Sequence, residues 1–578
     1  MQTTTRSTTG LSLPLRQGVY ASPVRRTAAL LCGAACLAGL EPAAATGPPD
    51  AGSVLQQLRP AAAVPREDAP AVLPAAPVAV PAAPQASPGD AAIQVRVTHI
   101  KISGATAFSE AELRMVVQDA IGRELGFTGL EELAVRLSRF YRQHGYTVAR
   151  AYLPQQDIGG GVVEITIVEG RYSAITVKPQ GELPAPLPLA ALVPGELVND
   201  AALERSLLLA ADVPGIAVRS TLQPGASVGT SELVVEVERG PAVTGLLEAN
   251  NFGSRATGRE RVGASLYFNN PAGLGDLLSL RTLTAGSDMN YARLGWQLPV
   301  SSNGTRAGAA VSVMRYRLGR EFANLEAHGD ASIVTLFAAH PLLRSRMHNL
   351  NAQVSAEHKR LRDRIDLVGS ADGKHLNLLT LGLSGDARDS GGGGAWGFSA
   401  TYTRGQLAIN SADALAVDEA TVRSAGSFGK LGLLAVRQQG VGKANLLVSY
   451  TGQWASKNLD SSEKLPLGGA GAVRAYPQGE APSDRASLLT LELQYPLDAG
   501  WQLAGFYDAA VGYGNEQPLP GAGASNRRSL SGVGLGLNWA HADGWSARLF
   551  YARKLHGGAA TVEPDRGERL WLQVSRSF

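Results

Sequence analysis

The chain has 578 residues, of which 44% are hydrophobic and only 18% are charged, and its formal net charge is +3. The charged fraction lies below the roughly 25% of an average soluble domain, and the near-neutral balance excludes the basic footprint of a nucleic-acid-binding protein. Glycine is frequent, with 67 residues, and this combination favours a large β structure over a helical membrane protein or an ordinary soluble enzyme.

The first 45 residues have the pattern of a secretory signal peptide. An arginine pair precedes an apolar stretch at residues 27–40, and an alanine run at residues 43–45 supplies a cleavage site. The stretch is shorter than the ~20 residues of a spanning helix, so we predict cleavage rather than anchoring. Loss of residues 1–45 would leave 49 basic and 49 acidic residues and would remove Cys32 and Cys36, the two cysteines of the chain. The mature protein would then form no disulfide and carry no thiol nucleophile.

Residues 46–92 form a linker rich in proline and alanine, a composition that favours extended, poorly packed chain. Within it, residues 52–59 have the sequence GSVLQQLR. Two interpretations of this segment stay open, namely plain linker and a short helix that plugs a pore.

Two small α/β modules of similar plan follow the linker. Residues 93–170 predict a strand, two helices and two strands, and Ser109 with Glu112 has the spacing of a capping box. Residues 171–240 predict a strand, a helix at residues 199–212 and two closing strands. A unit of about 70 residues that occurs twice indicates an internal repeat.

From residue 241 to residue 578 the pattern changes to segments of about ten residues that alternate in polarity. In GVGLGLNWA, for example, Val533, Leu535 and Leu537 share one face and glycines occupy the other. Such segments are typical of a transmembrane β-barrel, whereas a soluble β-sandwich is disfavoured because the second face also carries charged side chains. An even strand number returns both chain ends to the periplasmic side, and we predict sixteen antiparallel strands that start near residues 243, 260, 276, 289, 305, 328, 347, 374, 393, 418, 444, 485, 500, 528, 543 and 569.

Other observations agree with a barrel. Outside the predicted signal peptide, no stretch reaches 18 consecutive apolar residues. A membrane location therefore requires a closed barrel, because only helices and barrels satisfy every backbone group in lipid. The last predicted strand ends the chain on Phe578, which we interpret as the C-terminal signal of the barrel.

Two such modules before a sixteen-stranded barrel resemble the two-partner secretion transporters. These TpsB proteins export haemolysins and filamentous haemagglutinins and belong to the BamA-like barrel superfamily, and the modules resemble POTRA domains. The resemblance covers residues 95–578. It is strongest where the barrel begins, because EANNFGSRATGRER (248–261) and NNPAGLGDLLSL (269–280) resemble the family stretches Asn-x-Gly…Thr-Gly-x-x-Arg and Asn-Pro-x-Gly-x-Gly-Asp.

The resemblance also assigns a site within the barrel. In the family, the loop between strands eleven and twelve, here residues 459–484, folds into the pore and carries a Val-Arg-Gly-Tyr/Phe tip. That tip corresponds to Val473, Arg474, Ala475 and Tyr476. The family's wall motif Phe-x-Asp-x-Gly on strand thirteen resembles Phe506, Asp508 and Ala510. Alternation directs Phe506 and Asp508 inward, so Arg474 is expected to pair with Asp508, because a guanidinium fork matches a carboxylate. Alanine replaces the family glycine at positions 475 and 510.

The resemblance implies an outer-membrane translocator that exports one unfolded, cognate TpsA-type exoprotein from the periplasm to the cell surface. POTRA domains would capture this cargo, and the alternative is an outer-membrane assembly or insertase factor, whose close relatives usually carry more POTRA domains. The implied partners are the exoprotein, outer-membrane lipid and lipopolysaccharide, and the barrel-assembly machinery, with no nucleic acid. Neither a Walker loop nor a His-Glu-x-x-His motif occurs, and we predict no enzyme, no cofactor and no metal site.

Overall fold

The structure is a computed structural model, and the residues that it describes are 48–58, 94–179, 186–498, 500–518 and 526–578. The predicted signal peptide and most of the predicted linker lie outside the described residues. The described chain forms two small α/β modules and one closed barrel of sixteen antiparallel strands, which confirms the predicted fold class. Among the described residues, no helix is long and apolar enough to cross a membrane.

The first module packs two helices, Glu110–Val117 and Phe127–Gln143, against a three-stranded sheet. Its strands are β1 (Val95–Arg96), β2 (His99–Ser103), β3 (Glu124–Leu125), β4 (Arg150–Tyr152) and β5 (Val162–Val168). In the sheet, β5 lies between a parallel β2 and an antiparallel β4, and β1 pairs with β3. The apolar stripe of the longer helix meets the inward face of β5, and the predicted capping box of Ser109 and Glu112 is confirmed.

The second module places one helix, Asp200–Ala211, on the strands β6 (Arg171–Pro179), β7 (Ile216–Pro224) and β8 (Thr230–Arg239). Here β8 lies between a parallel β6 and an antiparallel β7. Residues 225–229, with the sequence GASVG, match the nucleophile pattern Gly-x-Ser-x-Gly. They form the hairpin turn between β7 and β8, whereas that motif requires a turn from a strand into a helix.

Ionic and polar contacts attach the second module to one end of the barrel. Both carboxylate oxygens of Asp212 accept from Arg344, at 2.9 Å from Nε and 2.8 Å from Nη2. Arg205 donates to the carbonyl of Pro341 at 2.7 Å, and the backbone nitrogen of Arg346 donates to Glu204 at 3.0 Å. The second module therefore lies at the end of the barrel where the chain enters it, and the first module contacts the second.

The barrel strands are β9 (Val243–Asn250), β10 (Arg261–Asn269), β11 (Leu277–Thr284), β12 (Met289–Pro299), β13 (Arg306–Arg317), β14 (Ala327–Arg344), β15 (His348–Ile365), β16 (Ser370–Arg388), β17 (Gly394–Ile409), β18 (Gly426–Val441), β19 (Ala444–Ala455), β20 (Arg485–Pro496), β21 (Trp501–Tyr513), β22 (Arg527–Ala540), β23 (Trp545–His556) and β24 (Glu568–Ser577). Each strand pairs with its sequence neighbours, and β24 closes the barrel on β9. This seam has five paired residues, whereas β10 and β11 pair over eight.

The predicted start of the tenth strand was wrong. That strand, β18, begins at Gly426 rather than near residue 418, and Ala412–Ala420 is a helix. Ser411 caps the helix, because its hydroxyl accepts from the backbone nitrogen of Ala414 at 3.3 Å. A serine cap followed by alanine, leucine and glutamate favours a helical turn over an extended strand.

Side chains on the barrel strands face alternately outward and inward, as predicted. On β21, Trp501 and Leu503 are 41% and 44% exposed on the outer face. Their inward neighbours Ala504, Phe506 and Asp508 are buried, with exposures of 0%, 6% and 1%. Side chains that face an empty lumen would be exposed to water. Since these are buried, other parts of the chain must fill the lumen at this level.

Candidate functional site

The connection between β19 and β20 fills part of the lumen. It contains residues 459–484, the predicted pore loop, which we call the lumen loop. Its regular structure is limited to a single 3-10 turn, Ser461–Glu463, and two isolated bridges. Even so, it is deeply buried, with at most 1% exposure at Leu459, Leu467, Val473, Ala475 and Tyr476. A loop packed this tightly is a fixed part of the barrel interior in this state.

Arg474 at the tip of the loop meets Asp508 on the barrel wall. Its Nε lies 2.8 Å from Oδ2 of Asp508, and its Nη2 lies 2.8 Å from Oδ1. The backbone nitrogen of Arg474 donates to the same Oδ2 at 3.1 Å, and Thr490 donates to Oδ1 at 3.0 Å. The structure thus brings together the two predicted partners as a bidentate, charge-assisted pair, which is the strongest arrangement for these groups.

A second carboxylate, Glu492 on β20, also binds Arg474. Its Oε2 accepts from Nη1 at 2.6 Å, and its Oε1 accepts from Gln494 at 2.8 Å. Glu492 is 6% exposed. Sequence analysis did not identify Glu492, although its place opposite Leu491 in the alternation of β20 directs it into the lumen. The cluster therefore has one cation and two anions, and Arg474 binds both carboxylates.

Aromatic side chains surround the cation. The guanidinium carbon of Arg474 lies 3.4 Å from the ring centre of Phe506 and 5.0 Å from that of Phe550. The indole nitrogen of Trp571 on β24 donates to the carbonyl oxygen of Arg474 at 2.7 Å. Cation–π contacts strengthen in such desolvated surroundings. The tip is thus held by β20, β21 and β24 together, and Trp571 is a further contact that sequence analysis missed.

Ala475, which stands in place of the family glycine, fits the wall without backbone strain. It is absent from the described residues that have positive φ, so its methyl group carries no conformational cost there. The opposing wall position is Gly532, where an added Cβ would lie 2.5 Å from the Cβ of Ala475. The glycine that close approach requires is on the wall rather than at the tip.

Tyr476 anchors the tip near the last extracellular loop. Its hydroxyl donates to the carbonyl of Gly558 at 3.2 Å, and the ammonium group of Lys554 lies 4.3 Å from its ring centre. Gly557 has φ +123, and a Cβ there would lie 2.5 Å from the tyrosine hydroxyl. The neighbouring glycine thus leaves the space that the phenol occupies.

The remaining predicted site residues divide into two groups. Val473 and Ala510 lie in the apolar cluster around the tip, together with Leu467 and Leu488. Phe578 lies far from this cluster, at the closing seam. Its backbone exchanges hydrogen bonds with Gly245 at 2.9 and 3.1 Å, and its side chain is 54% exposed.

The start of the lumen loop is attached to a different part of the wall. Glu463, 1% exposed, lies 2.7 Å from Lys359 on β15 and 2.6 Å from Lys430 on β18. Near its end, Asp484 pairs with Lys464 of the same loop at 3.0 Å. Charged groups therefore fix the loop to the wall at its start and at its tip, and an ion pair within the loop joins its two ends.

The helix Ala51–Gln56 lies beside the start of the lumen loop, and we call it the lumen helix. Its N-cap Asp50 accepts from Lys374 at 2.8 Å and from Ser461 at 2.6 Å. Lys374 also pairs with Asp460 of the loop at 2.6 Å, and Gln56 donates to the carbonyl of Ser462. Of the two interpretations left open for residues 52–59, the structure therefore shows a helix docked within the barrel.

The wall also holds both ends of the lumen helix. The backbone nitrogen of Ala51 donates to Asp363 at 2.7 Å, and Arg261 donates to the carbonyl of Gln57 at 3.3 Å. Arg261 is the last residue of the motif at 248–261, and it also donates to Asn250 of that motif at 3.2 Å. Two cavities remain in the lumen. One of about 430 Å³ beside the loop is lined largely by serine, threonine, lysine and glutamate, and one of about 480 Å³ beside the helix is lined by serine, arginine, tyrosine and leucine side chains.

Comparisons with known proteins agree with this architecture. The model of the haemolysin secretion/activation protein family ShlB/FhaC/HecB matches residues 229–539, and the model of the ShlB-type POTRA domain matches residues 95–170. The chain is 27% identical to the heme/hemopexin transporter protein HuxB of Haemophilus influenzae over 479 residues, which cover 81% of this chain and 84% of HuxB.

It is also similar to outer membrane transporter CdiB of Escherichia coli, with 26% identity over 489 residues and 82% coverage of both chains. The solved structure of CdiB from Escherichia coli superposes with a TM-score of 0.68 at 22% identity, covering 86% of this chain and 93% of that chain, which shows a shared fold. Because the family model spans more than half of the sequence, the chain belongs to the ShlB/FhaC/HecB family of haemolysin secretion/activation proteins.

Proposed function

We propose that this chain exports one cognate TpsA-type exoprotein, in an unfolded state, from the periplasm to the cell surface. Its family consists of transporters, and the chain is an outer-membrane protein whose POTRA modules lie in the periplasm. The observation that carries the proposal is the lumen loop, fixed by a buried charge cluster inside a closed barrel whose periplasmic end carries the two modules.

Export of a polypeptide requires that part of the lumen contents move aside. The lumen loop and the lumen helix occupy the space that an extended chain would need. Ion pairs hold the lumen loop at Glu463 and at Arg474, whereas one ion pair, between Asp50 and Lys374, and hydrogen bonds near its ends hold the six-residue helix. We infer that the helix leaves before export, because fewer contacts oppose its release.

The POTRA modules are proposed to capture the cargo. Each has a three-stranded sheet with two edges, and an extended peptide can add to such an edge through backbone hydrogen bonds. The contact of Asp212 with Arg344 keeps the second module beside the pore entrance. A soluble fragment of residues 94–240 should retain the N-terminal secretion domain of the exoprotein on a column, and equal retention by the barrel alone would contradict this division.

The alternative, an assembly or insertase factor, has weaker support. HuxB and CdiB, which match over about four fifths of this chain, are both named as transporters. Our proposal includes insertion of the barrel by the assembly machinery, with Phe578 as the signal. Removal of Phe578 should lower the amount of heat-modifiable barrel in outer membranes, and an unchanged amount would contradict that role.

Co-expression with a cognate TpsA-type exoprotein tests the main proposal. Cells with the parent chain should display protease-accessible exoprotein, and cells without it should retain the exoprotein in the periplasm. Arg548→Ala is a matched control for variants of Arg474 at the loop tip. Arg548 also faces the lumen, but it is exposed there. Equal surface display with and without the chain would overturn the proposal.

A further inference from the structure

Five arginines form an exposed patch on the outer surface of the barrel. They lie on β13 and β15, and we call them the arginine patch: Arg315, Arg317, Arg360, Arg362 and Arg364. Alternation fixes their direction, because the intervening Lys359 and Leu361 are 4% and 0% exposed inside the lumen. All five are exposed, so they face away from the lumen.

The length of β15 places the patch above the hydrocarbon. A tilted strand crosses the bilayer core in about 9–11 residues, and β15 has 18. Its first half begins at the turn beside the POTRA modules, so its last residues stand beyond the core on the extracellular side. Below the patch, the outer face is apolar, with Val313, Val334 and Leu336 between 47% and 58% exposed. The patch therefore lies at the level of the lipid headgroups in the outer leaflet.

Little nearby negative charge neutralises the patch. Asp330 on β14 lies in register between Arg315 and Arg362, and Asp366 is 3.7 Å from His328. Within the described chain, no carboxylate forms an ion pair with any of the five arginines. With Asp288, whose carbonyl accepts from the backbone nitrogen of Arg317 at 2.9 Å, three aspartates stand beside five guanidinium groups, and the surface keeps a net positive charge.

We propose that the arginine patch binds the phosphate groups of lipopolysaccharide in the outer leaflet. Guanidinium groups bind phosphate bidentately, and the apolar band directly below would contact the acyl chains of the same molecule. This continuity of a cationic row with a lipid-facing band favours a phosphorylated glycolipid over a protein partner. The site lies outside the lumen and does not depend on the proposed cargo.

Binding of purified lipid A to the full chain in detergent tests this site. Native mass spectrometry should show that the parent binds diphosphoryl lipid A at least about tenfold more tightly than dephosphorylated lipid A. In the variant Arg360→Gln/Arg362→Gln/Arg364→Gln this preference should disappear. The control variant Arg123→Gln/Arg142→Gln/Arg150→Gln removes the same charge from exposed positions of the first POTRA module, and it should bind like the parent.

Several results would overturn the proposal. The first is equal binding of diphosphoryl and dephosphorylated lipid A by the parent. This measurement does not depend on whether a variant folds. Equal losses in the test and control variants would indicate a nonspecific effect of charge. Full competition by inorganic phosphate would indicate a simple anion site. Loss of exoprotein display with unchanged lipid A binding would assign the patch to the cargo instead.

Discussion

At the scale of single residues, Arg474 is the centre of the buried charge cluster. The residue is 5% exposed, and its guanidinium contacts the carboxylates of Asp508 and Glu492. Removing one partner of a buried ion pair usually costs about 3–5 kcal/mol, because the remaining charge stays buried and unpaired. Here the cost depends on which partner is removed, since loss of the cation leaves two carboxylates, whereas loss of one carboxylate leaves a complete pair.

The charge cluster therefore predicts a graded series. Arg474→Ala should reduce surface display of the exoprotein most, Asp508→Ala should reduce it strongly, and Glu492→Gln should reduce it least, because Asp508 supplies the bidentate contact. The double variant Arg474→Ala/Asp508→Ala should be no worse than Arg474→Ala, since coupled residues are not additive. Heat-modifiability should stay normal throughout, because the strand ladder does not involve the loop.

Measurements of exoprotein display on the four variants test whether the pair of Arg474 and Asp508 holds the loop tip. If Asp508→Ala displays the exoprotein like the parent, or if the two single losses multiply in the double variant, the tip is not held by this pair.

In the first POTRA module, Glu169 predicts a dependence of stability on pH. Its carboxylate accepts from the backbone of Thr106 at 2.6 Å, the backbone of Ala107 at 2.7 Å and the hydroxyl of Tyr141 at 2.9 Å. Burial alone would raise the pKa of Glu169, but these hydrogen bonds outweigh it and lower the pKa below its usual 4.5. A lowered folded-state pKa means that the stabilisation is complete above pH 4.5 and is lost as the pH falls through the folded pKa.

Glu169→Gln should therefore destabilise the fragment 94–240 at pH 7 by about 1–3 kcal/mol and flatten its stability profile below pH 4.5. Urea unfolding at a series of pH values measures both effects. Glu132→Gln, on an exposed face of the same module, is the control. A Glu169→Gln profile parallel to that of the parent would show that the carboxylate is not the titrating group.

Sequence reasoning reached some of these residues and not others for a physical reason. Asp508 could be predicted from the sequence, because alternation directs it inward and the family resemblance names its partner. Glu492 also faces inward, but contact with Arg474 depends on how far adjacent strands are offset along the barrel axis. Trp571 is 97 positions from Arg474 along the chain, and its contact exists because the loop tip extends from β21 to β24, which closes the barrel on β9.

At the scale of elements, the lumen helix is stable only where it is docked. Six residues are too few for a helix to persist alone in water. They are also too few to show the helical repeat of apolar residues by which a helix is predicted from sequence. Its packing supplies the stability, because Ala51 and Val54 are 0% and 1% exposed among lumen side chains. An added Cβ at Gly52 would lie 2.3 Å from Ser461 of the lumen loop, so this glycine permits the contact.

Deletion of residues 46–58 should therefore raise the single-channel conductance of the barrel in planar bilayers and leave exoprotein display intact. Conductance should rise because the helix occupies lumen volume beside the cavity of about 480 Å³. Gly52→Leu is a matched point variant, which should raise conductance by preventing docking while keeping the segment. Unchanged conductance in both variants would show that the helix does not obstruct the pore.

At the scale of the whole molecule, the barrel holds the POTRA modules at one end and the lumen loop inside it. The POTRA modules are attached at the periplasmic end, and the lumen loop is attached to β15, β18 and the wall formed by β20 and β21. Strand number, module number and their order followed from the period of the sequence. The position of the helix among the strands did not, because it depends on packing between segments hundreds of residues apart.

The central claim is that the exoprotein passes through the lumen, and site-specific crosslinking tests it most directly. Thr401 and Tyr402 are adjacent on β17, but Thr401 lines the lumen cavity and Tyr402 is 49% exposed on the lipid face. A photocrosslinking amino acid placed at either position should report a stalled exoprotein during export. We predict an adduct from position 401 and none from position 402, and equal adducts from both, or none from position 401, would contradict passage through the barrel.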